Sequence, residues 1–242
     1  MTTTTAYSIF IIVIKEKLGN VNTGLEDGLN FAFIGPGGCG KSTVAERAST
    51  PDKLNLAVIN SDMFKEYAAN PKNKGHEEVQ EYIDKFIYVP DEYLERIVYS
   101  KLESIDKQTG DDKKNGVIFD NLGSPYNLEV IQKYINLKSV VNFPVSLKEA
   151  LERAQGRGRN DFSPKKVRNR YDQYRNNLRG IKEMTNITSI DANQTKDEVF
   201  HDFMDHASQF TQSDSGLYVP SRMNAGTGLL GTGLEAVTAL EK

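Results

Sequence analysis

One glycine-rich segment constrains the fold of this chain more than any other feature. Residues 35–42 read Gly-Pro-Gly-Gly-Cys-Gly-Lys-Ser and satisfy the pattern G-x-x-x-x-G-K-[ST]. An apolar run precedes the segment and a helix-like run, 43–47, follows it, which is the strand–loop–helix context that the pattern requires. Glycines let successive backbone N–H groups point into one concavity, and a helix N-terminus adds partial positive charge. The segment therefore predicts a phosphate-binding loop.

The chemistry of such a loop assigns roles to its side chains. We expect Lys41 to reach the β- and γ-phosphates of a nucleotide and the Ser42 hydroxyl to ligate Mg²⁺. Asp120 ends a second apolar run, where a carboxylate can hold the metal or its water. The loop residues expected to bind ATP are Gly35, Gly37, Gly38, Cys39, Gly40, Lys41, Ser42 and Thr43.

The remaining sequence alternates short apolar runs with longer helix-like ones. The apolar runs predict five buried strands, at 30–34, 56–59, 117–119, 140–143 and 187–190. Helical spacing is clearest at 91–102, 146–155 and 195–210, the last with Thr195 as its N-cap. Strand–helix alternation predicts an α/β fold with a parallel sheet.

Composition excludes several classes of protein. The 242 residues carry a net charge of −3, whereas nucleic-acid-binding domains are usually strongly basic. The longest apolar run, 9–14, is too short to span a bilayer. The single cysteine, Cys39, cannot form an internal disulfide, which fits a reducing compartment. We expect a soluble, cytoplasmic monomer that binds neither nucleic acid nor membrane.

The periodic pattern also suggests how the chain is organised. Residues 1–28 are Thr-rich, then polar, and are expected to form an N-terminal extension. The regular alternation runs over 29–210. Residues 211–242 are rich in Gly and Ser and predict a flexible C-terminal tail.

Further segments, in order along the chain, resemble the adenylate-kinase family of nucleoside monophosphate kinases. Residues 60–65 resemble the start of that family's monophosphate-binding insertion, about 61–89 here, and 88–92 (Tyr-Val-Pro-Asp-Glu) resemble its Val-Pro-Asp-Glu segment. Residues 151–161, followed by 167–171, match the short-lid members, with the lid at about 156–164.

This resemblance implies a fold and an activity. The fold is a P-loop NTPase three-layer sandwich with a five-stranded parallel sheet, a helical monophosphate-binding insertion and a short lid. The activity is Mg²⁺-dependent transfer of the ATP γ-phosphate to a nucleoside or deoxynucleoside monophosphate. ATP and Mg²⁺ are the implied cofactors.

The resemblance also implies roles for individual residues. Arginine suits a phosphoryl clamp because its planar fork pairs with two phosphate oxygens. The implied catalytic residues are Lys41, Arg153, Arg159, Arg170 and Asp161, the last positioning the lid. The implied acceptor-binding residues are Asp62, Lys65, Ile87, Val89, Asn121, Arg159 and Arg170. Gln194 is implied at the ATP site, and Ser42 and Asp120 at the metal.

Several positions depart from the family pattern. The arginine that binds the acceptor phosphate falls on Ser124, and a second acceptor arginine falls on Lys65. The glutamine that reads adenine falls near Leu128. On the donor side, the arginine that stacks on adenine corresponds to Glu149, and one lid aspartate corresponds to Phe162.

Alternatives therefore stay open. The chain could phosphorylate a small hydroxylated metabolite, with Asp62 as general base. It could instead be a degenerate nucleotide-binding module without catalysis. The basic stretch 153–179 could be a solvated face, with nucleic-acid binding as a further reading. The three histidines, His76, His201 and His206, are interpreted as surface residues.

Overall fold

The computed structural model describes residues 25–84, 89–156 and 163–211. The predicted five-stranded parallel sheet is confirmed, in the order β2-β3-β1-β4-β5. Each strand lies within one residue of its predicted bounds. The strands are β1 (Phe31–Ile34), β2 (Ala57–Ile59), β3 (Val117–Asp120), β4 (Ser139–Asn142) and β5 (Ile187–Ser189).

Helices cover both faces of the sheet. They are α1 (Lys41–Ala48), α2 (Asp62–Ala69), α3 (His76–Asp84), α4 (Asp91–Asp106), α5 (Pro125–Gln132), α6 (Leu147–Gly156), α7 (Pro164–Met184) and α8 (Lys196–Thr211), with a 3₁₀ turn at Gly110–Asp112. No helix in these ranges is long and apolar enough to cross a membrane.

The side chains of β1 alternate between two apolar layers. Phe31 and Phe33 pack with residues of α1 and α8, whereas Ala32 and Ile34 pack with residues of α4, α5 and α7. All four are buried because helices cover both faces of a parallel sheet. The result is the expected three-layer sandwich with β1 at its centre.

A cluster of edge-to-face rings fills the layer under α8. The ring centroid of Phe33 lies 4.9 Å from that of Phe143 and 5.0 Å from that of Phe203. Such aromatic pairs stabilise a core beyond the area they bury. Two residues of the strand that leads into the phosphate loop, Phe31 and Phe33, belong to this cluster.

The packed domain begins before the predicted boundary at residue 29. Leu25 is buried, and the Asn30 side chain donates to the Leu25 carbonyl at 2.6 Å. Asn30 is itself fully buried and accepts a hydrogen bond from the backbone N–H of Val117. This buried amide joins the segment 25–28 to the start of β3, so the segment is part of the core. The rest of the predicted extension, 1–24, and the predicted tail from 212 onward lie outside the described residues.

The insertion between β2 and β3 has a small core of its own. Helices α2 and α3 pack together with α4 around Tyr67, Val79 and Ile97, all buried. The predicted acceptor residue Val89 belongs to this cluster and is buried.

One histidine differs from the surface interpretation. His206, on α8, packs against the Phe210 ring with centroids 5.3 Å apart, and its Nε2 atom is buried. Burial lowers the pKa of this imidazole. Positions 206 and 210 are one helical turn apart, so the helical spacing brings these two side chains together.

Candidate active site

The loop 35–42 leaves the carboxyl end of β1 and enters α1 at Lys41. Gly38 and Gly40 have φ angles of +94° and +97°, which side-chain-bearing residues rarely adopt. A Cβ added at Gly37 or Gly40 would meet no atom within 4 Å, so the loop presents open backbone to the cleft above it. A Cβ at Gly35 would instead lie 2.7 Å from the Cys39 Sγ atom, so Gly35 is required for packing.

Cys39 points into the protein from this loop. Burial raises the pKa of its thiol, the charge of Lys41 opposes the rise, and the charge of Asp120 adds to it. Asp120 is the register partner of Phe33 in the sheet, so it lies next to the strand from which the phosphate loop departs.

Asp120 ends β3 and is 9% exposed. Its Oδ1 atom is buried and has no hydrogen-bond partner among the described residues. An unpaired buried carboxylate oxygen is costly unless a cation or a donor satisfies it. Carboxylate and hydroxyl oxygens are the ligands that Mg²⁺ prefers, so Asp120 together with Ser42 on α1 fits a magnesium ion.

A donor cleft of about 430 Å³ opens over the loop. One wall is the phosphate loop with Thr43, a second comes from α6, and a third from the segment between β5 and α8. Gln194 lies on this third wall, where its Nε2 atom donates to the Asp191 carbonyl at 3.0 Å. The cleft is lined by Gly38, Cys39, Gly40, Thr43, Val44, Arg153, Gly156, Ala192, Gln194, Thr195, Lys196 and Val199.

Arg153 faces the phosphate loop across this cleft. Its Cβ atom would lie 3.5 Å from a Cβ placed on Gly38. Its Nε atom donates to Glu149 Oε1 at 2.6 Å, one turn earlier on α6. This bond uses only Nε. The two terminal nitrogens of the guanidinium have no partner among the described residues, so they remain available for phosphate oxygens.

A smaller acceptor cleft, of about 140 Å³, opens at the carboxyl ends of β2 and β3. Asp120 and Asn121 line it at the end of β3, where Asp120 is the register partner of Phe33. Asn121 has a φ angle of +90°, a strained conformation of the kind that concentrates at functional sites. The cleft is lined by Ile59, Asn60, Ser61, Met63, Phe64, Leu94, Val98, Phe119, Asp120, Asn121, Leu122, Gly123, Asn127 and Ile131.

Four of the predicted acceptor residues that the structure describes do not line this cleft: Asp62, Lys65, Val89 and Arg170. Lys65 Nζ lies 2.9 Å from Asp62 Oδ1, and the two side chains are 70% and 57% exposed. They form an ordinary i,i+3 pair on the surface of α2, because neighbouring residues on a helix face meet there.

Comparison with known proteins finds one matching family model and several similar adenylate kinases. A family model described as an AAA domain matches residues 34–168. An adenylate kinase from Mycobacterium sp. (strain MCS) is 30% identical over 183 residues, which cover 71% of this chain and 95% of that protein. An adenylate kinase from Mycobacterium leprae (strain Br4923) gives the same values. One from Corynebacterium urealyticum (strain ATCC 43042 / DSM 7109) is 31% identical over 156 residues, covering 61% of this chain and 80% of that protein.

The chain belongs to the adenylate kinase family.

The structure explains one departure from the adenylate kinase pattern. Ser124, which stands where the family has an arginine, is the N-cap of α5 and accepts a hydrogen bond from the Asn127 backbone N–H at 3.2 Å. Pro125 follows it in the first turn, where proline is well suited. Position 124 therefore serves helix initiation in this adenylate kinase family member.

Helix α7 hydrogen-bonds to the end of β4 and to the loops that follow β3 and β4. The Tyr171 hydroxyl donates to the Val145 carbonyl at 2.9 Å, and the Tyr174 hydroxyl donates to Asn142 Oδ1 at 2.8 Å. Asn177 donates to the Gly123 carbonyl beside the acceptor cleft. Arg170 shares the helical face of Tyr174 and Asn177, is exposed, and lines neither cleft.

Other predicted residues lie outside the described part of the chain. These are Ile87, Arg159, Asp161 and Phe162, together with most of the predicted lid.

Sequence reasoning missed three side chains that the structure brings to the site. Asn127 and Phe64 line the acceptor cleft, and Glu149 holds Arg153. Asn127 directly precedes Leu128, where the family's base-reading glutamine falls, so a shift of one position in the comparison would have found it.

Proposed function

We propose that the chain transfers the γ-phosphoryl group of ATP to a nucleoside or deoxynucleoside monophosphate in a Mg²⁺-dependent reaction. One observation carries this proposal: the two clefts open at the same edge of the sheet, and Asp120, which lines the acceptor cleft, is the register partner of Phe33 just before the phosphate loop. Two-substrate transfer needs this arrangement, because the attacking and leaving oxygens must lie in line.

The chain's own residues supply alignment and positive charge. The acceptor phosphate is already ionised, so the reaction needs no general base. The loop N–H groups and Lys41 hold the donor phosphates, and the terminal guanidinium nitrogens of Arg153 stabilise charge on the transferring group. We assign the same task to Arg159 and Arg170 and the positioning of the lid to Asp161, on the family resemblance.

The metal belongs at Ser42 and Asp120. When bound there, Mg²⁺ would neutralise phosphate charge and fix the geometry of the triphosphate. The orphan Oδ1 atom of Asp120 supports this assignment.

The surface pair on α2 weighs against transfer to a hydroxyl group. A hydroxyl acceptor requires a general base within hydrogen-bond reach of the reacting oxygen. The candidate base, Asp62, is paired with Lys65 and lies outside the acceptor cleft. Asp62→Asn should therefore leave turnover within about threefold of the wild-type value, whereas loss of a true base would cost about 10²-fold or more.

The proposal is tested by a coupled assay for ADP release. Mg·ATP is offered with each common ribo- and deoxyribonucleoside monophosphate in turn. Lys41→Ala should lower turnover by about 10²-fold or more, because it removes a preorganised charge at the phosphates. Lys53→Ala is the matched control, since Lys53 forms an exposed pair with Asp52 away from both clefts.

Each outcome decides between the candidate functions. Multiple turnovers with any monophosphate, lost in Lys41→Ala and kept in Lys53→Ala, would establish the kinase. Tight ATP binding with no transfer to any acceptor would overturn it in favour of a non-catalytic nucleotide-binding module.

A further inference from the structure

We propose that Arg47 is a positioning residue for the donor nucleotide, because it ties one wall of the donor cleft to the helix that begins at the phosphate loop. The role rests on the proposed function and adds a residue to its donor site. Arg47 lies on α1, outside the phosphate-loop motif, and lines neither cleft. It therefore acts through the residues that it contacts.

The donor cleft joins two segments that are distant in the chain. The phosphate loop and the beginning of α1, with Thr43 and Val44, form one side of it. The segment 192–196, which runs into α8 and is called the nucleoside wall below, forms another side. A nucleotide whose phosphates lie in the loop places its ribose and base between α6 and this wall. The distance from the loop to the wall therefore affects how tightly the nucleoside is held.

The nucleoside wall is bound to α8. The Gln194 Nε2 atom donates to Asp202 Oδ2, nearly two turns into that helix, at 2.7 Å. Thr195 and Glu198 bond to each other reciprocally across the first turn. The wall and the start of α8 thus form one unit. A contact that fixes the start of α8 against α1 also fixes the wall against the phosphate loop.

Arg47 makes such a contact from the last turn of α1. Its Nη1 atom donates to the Lys196 carbonyl at 3.3 Å and to Asp197 Oδ1 at 2.9 Å. Its guanidinium carbon lies 4.0 Å from the centre of the Phe200 ring, which is within the range of a cation–π interaction. All three partners belong to the first turns of α8, and Lys196 itself lines the donor cleft.

The chemistry of arginine suits this position. Its planar group can bond oxygens at its edge while its face lies on an aromatic ring. The ion pair with Asp197 is exposed, with the two side chains 37% and 78% accessible, so it contributes little to the stability of the fold. The main effect of the contact is to restrict where α8 begins relative to α1.

Calorimetric titration with Mg·ATP and with magnesium tripolyphosphate tests this role. Tripolyphosphate has the phosphates of the donor but no nucleoside, so it reports on the phosphate loop alone. Arg47→Ala should lower the ratio of the ATP to the tripolyphosphate association constant about fivefold, the size expected for loss of a cation–π contact and an exposed ion pair. A general loss of folding or of positive charge would weaken both ligands alike and leave the ratio unchanged.

Two further variants show whether the arginine acts through its contacts. Asp197→Asn should lower the ratio less, because it removes the ion pair but keeps the carbonyl and ring contacts. Adding Asp197→Asn to Arg47→Ala should cause no further fall, since Asp197 acts through the arginine. Arg175→Ala is the matched control and should keep the wild-type ratio, because Arg175 is an exposed arginine of α7 that lines neither cleft.

These titrations need no turnover, so they decide the role of Arg47 even if no acceptor is phosphorylated and the proposed function fails. An unchanged ratio in Arg47→Ala, or an equal fall in Arg175→Ala, would overturn the role. Wild-type protein that binds ATP no more tightly than tripolyphosphate would overturn it too. If the enzyme is active, Arg47→Ala should raise the KM for ATP about fivefold and leave kcat within about twofold. A loss confined to kcat would contradict positioning of the donor.

Discussion

At the scale of single residues, the contact between Glu149 and Arg153 shows how a departure from the family pattern acquires a role. The glutamate replaces a residue expected to stack on adenine, and here it orients the arginine that faces the phosphate loop. A charge-assisted bond of 2.6 Å restricts a long, flexible side chain to one geometry.

Glu149→Ala should therefore lower kcat about tenfold. Without Glu149 the Arg153 guanidinium would no longer be held in one position, and small displacements of a group that acts on the transferring phosphate lower the rate steeply. Glu149→Gln should retain most of the rate, since its amide oxygen still accepts from Nε. Glu152→Ala is the control, because its distant pair with Lys148, at 3.9 Å, is exposed on the same helix. Equal rates for Glu149→Ala and the control, in a steady-state assay, would contradict the positioning role.

The backbone at Asn121 supports a second residue-scale prediction. Its φ of +90° is a backbone angle that glycine adopts readily, and asparagine tolerates positive φ angles better than β-branched residues do. Asn121→Val should lower the free energy of unfolding by about 1–2 kcal/mol. Asn121→Gly should change it by less than about 0.5 kcal/mol, because relieved strain and added chain entropy oppose each other. Urea denaturation of both variants measures the difference.

At the scale of elements, helix caps determine where the helices around the site begin. Thr195 and Glu198 form a reciprocal capping box at the start of α8: the Glu198 carboxylate accepts from the Thr195 N–H at 2.9 Å, and the Thr195 hydroxyl accepts from the Glu198 N–H at 3.3 Å. Ser124 caps α5 in a similar way, whereas Ser61, at the start of α2, makes no side-chain cap bond.

Thr195→Ala and Ser124→Ala should each lower the free energy of unfolding by about 1 kcal/mol. Ser61→Ala should cost less than about 0.5 kcal/mol, because it removes a hydroxyl without removing a cap. Denaturant midpoints of the three variants test this. A loss in Ser61→Ala as large as in the other two would show that something other than capping is being measured.

At the scale of the whole molecule, stability at alkaline pH depends on the half-buried Tyr174. Burial raises the pKa of Tyr174 to about 12 from an ordinary value of 10, and its hydrogen bond to Asn142 partly opposes the rise. The unfolded chain therefore releases this proton first as the pH rises. The stability that the neutral tyrosine contributes is complete below pH 10 and is lost between about pH 10 and 12.

Tyr174→Phe should make the fall in stability over this interval shallower. Thermal or denaturant unfolding at several pH values measures the slope. Identical slopes in the wild type and in Tyr174→Phe would show that Tyr174 does not contribute.

The whole fold was more predictable than the site. Apolar runs predicted all five strands and glycine chemistry predicted the phosphate loop, because both signals are local in sequence. The acceptor cleft was harder, since it is assembled from β2, β3 and three helices distant in the chain. Asp62 and Lys65 had the right residue types but pair with each other on the surface. Asn127 carried no signal of its own until its neighbours in space were known.

The hydrogen bonds of α7 have a consequence for the spacing of the loops around the two clefts. This helix is attached to Asn142 at the end of β4, to Val145 before α6 and to Gly123 in the acceptor cleft. The helix therefore sets the spacing between these attachment points, at a rise of about 1.5 Å per residue. Inserting or deleting one residue between Tyr174 and Asn177 would rotate one attachment point by about 100° relative to the other. Under the proposed function, each cleft would keep its lining while the donor and acceptor phosphates would lose their alignment.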